Sequence, residues 1–347
     1  MSGVHLTRTD ENTAEIDALA GLLGGRIGLE GVLDDLGSQA RRSRAGRLVG
    51  RAVDAAYSWE RSDARDPHWW PQGISSSADA SQTEEVLGRR LLVVSWYSHP
   101  VDGVSHGSRL TFLDLDTLRY RHVLLVVPGT AEDGTPTAAP LKVHAGGIVW
   151  CGPFVHVAAT ARGFVSVRLD DVMRAGDAVE AHGHRYLLPV RFSYRAHAAE
   201  GHDRLRYSFL SLERREEGAA ALVAGEYGRG RDTTRFARFE LDASSALLMA
   251  GEDGASRPSA LDDGGLVQMQ GAVVAGGRFH VTTSHGPWLP GSLHVGRPGS
   301  FTEHRLAVPM GPEDLTWWPS TDRLWSVSEH PRRRWVFSVP RARLGGG

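Results

Sequence analysis

The sequence predicts an all-β protein, a five-bladed β-propeller preceded by a helical extension, on three observations. From residue 67 onward, short runs rich in Val, Leu, Phe and Trp alternate with Gly, Pro and Asp, the pattern of strands and turns. Five segments, "PQGISSS", "HAGGIVW", "RYSFLSL", "MQGAVVA" and "EDLTWWP", each open a group of strands with the same internal order. The equivalent positions Gln72, His144, Tyr207, Gln270 and Glu313 are separated by 72, 63, 63 and 43 residues, lengths that suit four-stranded blades with variable loops.

Taken in chain order, residues 1–60 read as the helical extension and 61–347 as the propeller. "TAEIDALAGLL" places Ile16, Leu19, Leu22 and Leu23 at helical spacing, with Asn12 or Thr13 as N-cap. "GRLVGRAVDAAYSW" repeats that spacing and is expected to be helical. The intervening "GSQARRSRAGR", with Arg41, Arg42 and Arg44, reads as a solvated loop. Second strands follow each opening segment ("LLVVSWYSH", "FVHVAATARG", "ALVAGEYGRG", "FHVTTSHGPW", "LWSVSEHPR"), and third strands follow those. Fourth strands are visible as "YRHVLLVVP", "YLLPVRFSY" and "TEHRLAVPM", with "ALLMAG" a weaker fourth strand for the third group. The last group has no fourth strand of its own before the chain ends, so its closure calls for a strand from the N-terminal region, around "AAYSWER", although that segment reads as helix.

Composition narrows the function classes. The net charge of −2 over 347 residues supplies no electrostatic reason to bind nucleic acid or an anionic membrane surface. Cys151 is the single cysteine, so neither an internal disulfide nor a Cys-based zinc cluster can form. No apolar run approaches the ~18 residues of a membrane span, and "MSGVHLTRTDENTAEID" lacks the charge-then-apolar order of a signal peptide. A cytoplasmic location is expected.

In a propeller the beginnings of first strands and the ends of second strands converge on one funnel. Strand beginnings supply Gln72, His144, Tyr207 or its neighbour Ser208, Gln270, and Glu313 with Asp314. Strand ends supply Tyr97, His99, Thr160, Arg162, Glu226, Tyr227, Ser284, His285, Glu329 and His330. Trp70, Trp96, Trp288 and Trp317 fall beside these positions. Convergent polar groups with aromatic walls are what a small-molecule pocket needs. Glu226, Glu329, His144 and His285 are the candidate acid/base residues, and the others are candidate binding residues. A divalent metal on His144, His285, Glu226 and His330 is the weaker alternative, because the four come from different groups with no ligand spacing. "EYGRGRD" has phosphate-loop-like glycines but no following helix, so it reads as a turn.

Through "WWPQGIS", "VVSWYSH", "YRHVLLVVP", "VHAGGIVW", "MQGAVVA" and "GPEDLTWWPSTDRLWSV", the chain resembles a group of actinobacterial five-bladed β-propeller proteins over roughly residues 57 to 338. The resemblance implies the fold and a bacterial origin, and it carries over no activity. The expected function is acid/base processing of a small molecule, sugar-like or natural-product-like, by hydrolysis, elimination or cyclisation without a redox cofactor. The alternative is a non-catalytic small-molecule or glycan binder.

Overall fold

In the computed structural model, which describes residues 3–101, 103–215 and 219–345, the chain is mostly β. Four-stranded antiparallel meanders follow one another. The first comprises Trp69–Ser76, Leu91–Ser98, Ser108–Asp114 and Arg119–Thr130. The second comprises Ile148–Cys151, Phe154–Ala158, Gly163–Arg168 and Tyr186–Ala198. Phe209–Glu213, Ala221–Gly225, Phe236–Glu240 and Ala260–Asp262 form the third. The fourth runs through Met269–Ala275, Arg278–Thr283, Gly291–Arg297 and Ser300–Val308. The fifth takes Pro312–Trp318, Arg323–Ser328 and Trp335–Pro340, and then borrows Ala55–Ser58. The outer strands of the first two sheets also pair in parallel, with Leu187 opposite Leu124, joining them into one larger sheet.

The first strand of each meander packs against the first strand of its neighbours, and the ring closes between Pro312–Trp318 and Trp69–Ser76. Such close approach of five backbones demands small residues. A Cβ on Gly147 would lie 2.3 Å from the Phe209 Cα, and one on Gly271 would lie 2.4 Å from the Asp314 Cα. Asp314, fully buried, ties three of these strands together: its Oδ2 accepts from the Ile74 amide at 3.3 Å and the Ile148 amide at 3.1 Å. Outward from this ring the strands read as nearly continuous apolar runs because both sheet faces are covered. Val93, Ile148, Val149 and Val273 are all buried, each contributing roughly 1.5–3 kcal/mol of transfer free energy.

The N-terminal region is woven into these sheets. Thr13–Leu23 is the expected helix, ended by Gly24 in the left-handed region at φ 84°, and it buries Ile16, Leu19 and Ala20 in the same cluster as Trp69 and Leu92. Asn12 does not cap it through its side chain; its Nδ2 donates to the Val190 carbonyl instead. Val4–Arg8 adds an edge strand to Tyr186–Ala198.

Three expectations about secondary structure are corrected. The second helical segment is a short helix, Arg44–Val49, followed by the strand Ala55–Ser58, which pairs Ser58 with Trp335 and Ala56 with Phe337. The weak helical spacing of "AVDAAYSW" yields to the unpaired edge of the last sheet, whose ladder groups need partners. Residues 38–42, expected as loop, hold two short paired strands, Ser38–Gln39 and Arg41–Arg42. In the third sheet the fourth strand is Ala260–Asp262, and Leu248 within "ALLMAG" makes only an isolated bridge to Leu241.

Candidate active site

Three of the first strands carry a β-bulge where their cavity residue sits. Register shifts lie between Pro71 and Ile74, between Met269 and Gly271, and between Pro312 and Leu315. A bulge leaves residues unpaired and re-aims side chains, and these bulges release Gln72, Gln270, and the consecutive pair Glu313 and Asp314. His144 precedes its strand in a loop where Ala145 adopts φ 53°. A central cavity of about 520 Å³ results, lined by Gln72, His144, Gly146, Thr160, Arg206, Ser208, Tyr227, Arg229, Asp232, Gln270, Glu313 and Glu329.

Of the three carboxyl groups that line this cavity, Asp232 is exposed at the rim, and Glu313 and Glu329 lie deeper. Glu329 follows the Arg323–Ser328 strand, and its amide donates to the Gly311 carbonyl at 3.0 Å. Its Oε2 accepts from Gln72 Nε2 at 3.0 Å. Burial raises its pKa to about 7, against the pull of the Gln72 hydrogen bond and the positive charge of Arg334. Glu313 is held by its backbone: its carbonyl accepts from Thr282 Oγ1 at 2.7 Å and Ser326 Oγ at 3.3 Å. Among the described residues no donor reaches its carboxyl. Burial first, then the charges of Glu329 and Asp314, push its pKa well above the ordinary value. Two nearby carboxyls in a poorly solvated site cannot both ionise cheaply, so the pair retains a proton near neutral pH.

Neighbouring groups are consistent with that state, although Tyr97 lines an adjoining surface pocket with His144 and not the cavity itself. The Tyr97 and His144 rings lie 4.5 Å apart, centroid to centroid. Burial and then the Glu329 and Glu313 charges push the Tyr97 phenol up to about 12, and burial lowers the His144 pKa, keeping its imidazole neutral. Arg334, itself buried, donates from Nε to the Glu329 carbonyl at 2.6 Å and from Nη1 to the Asp63 and Asp66 carbonyls. It thereby fixes the loop that carries Glu329. The opposite rim is polar and mixed in charge: Arg229 Nε donates to the Tyr227 hydroxyl at 2.7 Å, and Arg206 Nη1 lies 3.7 Å from Asp232.

Of the residues singled out from sequence, Gln72, His144, Thr160, Tyr227, Gln270, Glu313 and Glu329 line one cavity, with Ser208 present in place of Tyr207. Tyr207 takes the opposite face of the alternating chain and is buried with Phe164 and Phe239. Glu226 does not line the cavity. It is fully buried, and both its oxygens are engaged by the Arg235 guanidinium and by the amides of Arg206 and Arg235. His285 is exposed in the loop after the Arg278–Thr283 strand, 2.8 Å from the Ser292 hydroxyl, and does not line the cavity. Arg162 lines neighbouring surface pockets, and His99 stacks on Trp70, whose edge meets His330. Burial lowers the His330 pKa to about 4.

The tryptophans do not wall the cavity. Trp96 is buried against Trp59, Trp317 is partly buried and packs against the core of the last sheets, and Trp288 is 76% exposed beneath the Arg333 guanidinium. Large apolar rings gain more from core packing than from lining a wet channel. Because His285 and Glu226 stand apart from His144, the suggested metal set is not assembled. Among the described residues no group of three or more His, Cys, Asp or Glu is arranged to hold a metal ion. No helix among them is long and apolar enough to cross a membrane.

No family model and no curated protein matches the chain. Among solved structures it is similar to a gluconolactonase from Xanthomonas campestris at 15% identity, covering 87% of this chain and 95% of that one, with a TM-score of 0.34. A GH43_1 enzyme from Xanthomonas citri matches at 12% identity over 79% of this chain and 88% of its own, with a TM-score of 0.38. Hydrazine synthase from Kuenenia stuttgartiensis matches at 14% identity over 78% and 86%, with a TM-score of 0.34.

Arg206, Arg229 and Asp232 escaped the sequence reading. Arg229 and Asp232 belong to "EYGRGRD", whose irregular loop has no periodicity to project its side chains into the channel.

Proposed function

We propose that the chain is a five-bladed β-propeller enzyme that hydrolyses a C–O bond in a small hydroxylated, sugar-like molecule by acid/base catalysis. The observation that carries this reading is a pair of carboxyls, the buried Glu313 and the partly buried Glu329, facing one polar cavity with both pKa values raised. Glu313, held protonated, donates its proton to the leaving oxygen. Glu329, partly ionised near neutral pH, removes a proton from the attacking water. The bond to the leaving oxygen breaks, the bond to the water oxygen forms, and proton exchange with solvent restores the pair. Gln72 positions Glu329, and His144, Ser208, Thr160 and Gln270 supply neutral hydrogen-bonding groups suited to hydroxyls. The step changes no oxidation state and therefore needs no redox cofactor. A cytoplasmic location belongs to the same proposal.

The test is incubation of the purified protein with glycosides, sugar esters and sugar lactones, read by product formation. Turnover that is lost in both Glu313→Gln and Glu329→Gln supports the assignment. Turnover that survives both substitutions removes it, and a ligand bound and recovered unchanged would make the cavity a binding site.

A further inference from the structure

A second cleft, of about 580 Å³, opens where the N-terminal strand closes the fifth sheet, and no residue lines both it and the central cavity. Arg41, Arg61, Arg65 and Arg332 line it, brought together from three stretches of chain. Arg41 sits opposite Ser58 in the closing ladder, and the short Arg61–Arg65 helix presents two of the four. The Arg332 amide is anchored on the Ala64 carbonyl at 2.6 Å. Among the described residues none of these four guanidinium groups has a hydrogen-bond or ion-pair partner. This contrasts with Arg109, Arg191, Arg235 and Arg341, each of which is paired with a carboxylate.

The one carboxylate in the lining, Glu60, is already engaged by the Gln39 amide at 2.7 Å. The cleft therefore gathers four positive charges against one negative in a chain whose net charge is −2. Like charges held together repel, and that cost is relieved when a polyanion fills the space between them. Guanidinium groups match phosphate oxygens with paired N–H donors, and the Ser62 hydroxyl adds a neutral donor.

We propose that this cleft binds a phosphorylated small molecule through a diphosphate group. The excess of three positive charges suits the charge of a diphosphate better than that of a monophosphate or a monocarboxylate. Occupancy would bridge the Arg61–Arg65 segment and the Arg332 loop, and so tie the N-terminal closure to the last sheet.

Calorimetric titration of the full-length protein with inorganic pyrophosphate tests this at about 0.15 M salt, where bare surface attraction is largely screened. Saturable one-to-one binding is expected, weakened at least about tenfold in R61Q/R332Q and in R41Q/R65Q, and kept in R305Q, an exposed arginine on the fourth sheet. Orthophosphate and citrate are expected to bind more weakly. Absence of saturable binding, equal binding by either double variant, or citrate binding as tight as pyrophosphate would each overturn the proposal.

Discussion

Gln72 Nε2 donates to Glu329 Oε2 at 3.0 Å, joining the first strand of the first sheet to the loop of the last sheet across 257 residues of sequence. The bond crosses the place where the ring of sheets closes. It holds one member of a carboxyl pair while leaving the other, Glu313, open to the cavity. This asymmetry separates Glu313, whose carboxyl no donor among the described residues reaches, from Glu329, which titrates near neutrality.

The Glu329 pKa has a stability consequence. A carboxyl raised from its ordinary value to about 7 holds its proton more tightly in the folded state than in the unfolded chain. Its contribution is complete below the ordinary carboxylate pKa and is lost as pH rises through 7, on the order of 3 kcal/mol in full. Denaturant unfolding of wild type and E329Q across that window should show the wild type losing stability relative to the variant as pH rises. Parallel pH profiles would contradict the assignment.

Glu313→Gln should leave the fold intact, because the amide is a neutral isostere of a carboxyl whose burial already favours the neutral form. Hydrolysis should fall by about 10²–10⁴-fold, the usual loss for a general acid. Circular dichroism together with single-turnover rates on any substrate found by the panel separates the two effects.

Glu226→Gln should do the reverse. Its carboxylate is paired with Arg235 in a buried site, and breaking such a pair leaves an uncompensated charge costing about 3–5 kcal/mol. A lowered unfolding midpoint with unchanged turnover per folded molecule is the expected result.

Removing residues 1–60 should expose the Trp335–Pro340 edge that Ala55–Ser58 covers. Unpaired edge strands recruit other chains, so the truncated protein should elute as aggregate in size-exclusion chromatography, where the full chain elutes as a defined species. A well-behaved truncated species would show that the closing strand is dispensable.

The repeats were legible because each first strand announces itself by an apolar run entered through a Gly or a polar residue, and seven of the polar positions at first-strand entries and second-strand ends line the cavity. The closing strand was not, because "AAYS" has no strand pattern of its own and becomes one only beside Trp335–Ser338. Tyr207 against Ser208, and Glu226 against Tyr227, turned on which face an alternating chain shows, a one-residue matter that pattern alone does not fix. Bulges decided the reverse case: Glu313 and Asp314 are neighbours in sequence, yet both are buried near the axis, one facing the cavity and the other tying strands together. The tryptophans misled because proximity in sequence to the funnel does not give the direction of a side chain.

The carboxyl pair is tested most directly by a ¹³C-NMR pH titration of protein labelled at glutamate side-chain carboxyls, with E329Q and E313Q for assignment. One carboxyl is expected to titrate near pH 7, absent in E329Q, and a second well above the ordinary carboxylate range, absent in E313Q. Glutamates that all titrate in the ordinary range below about pH 5 would contradict it.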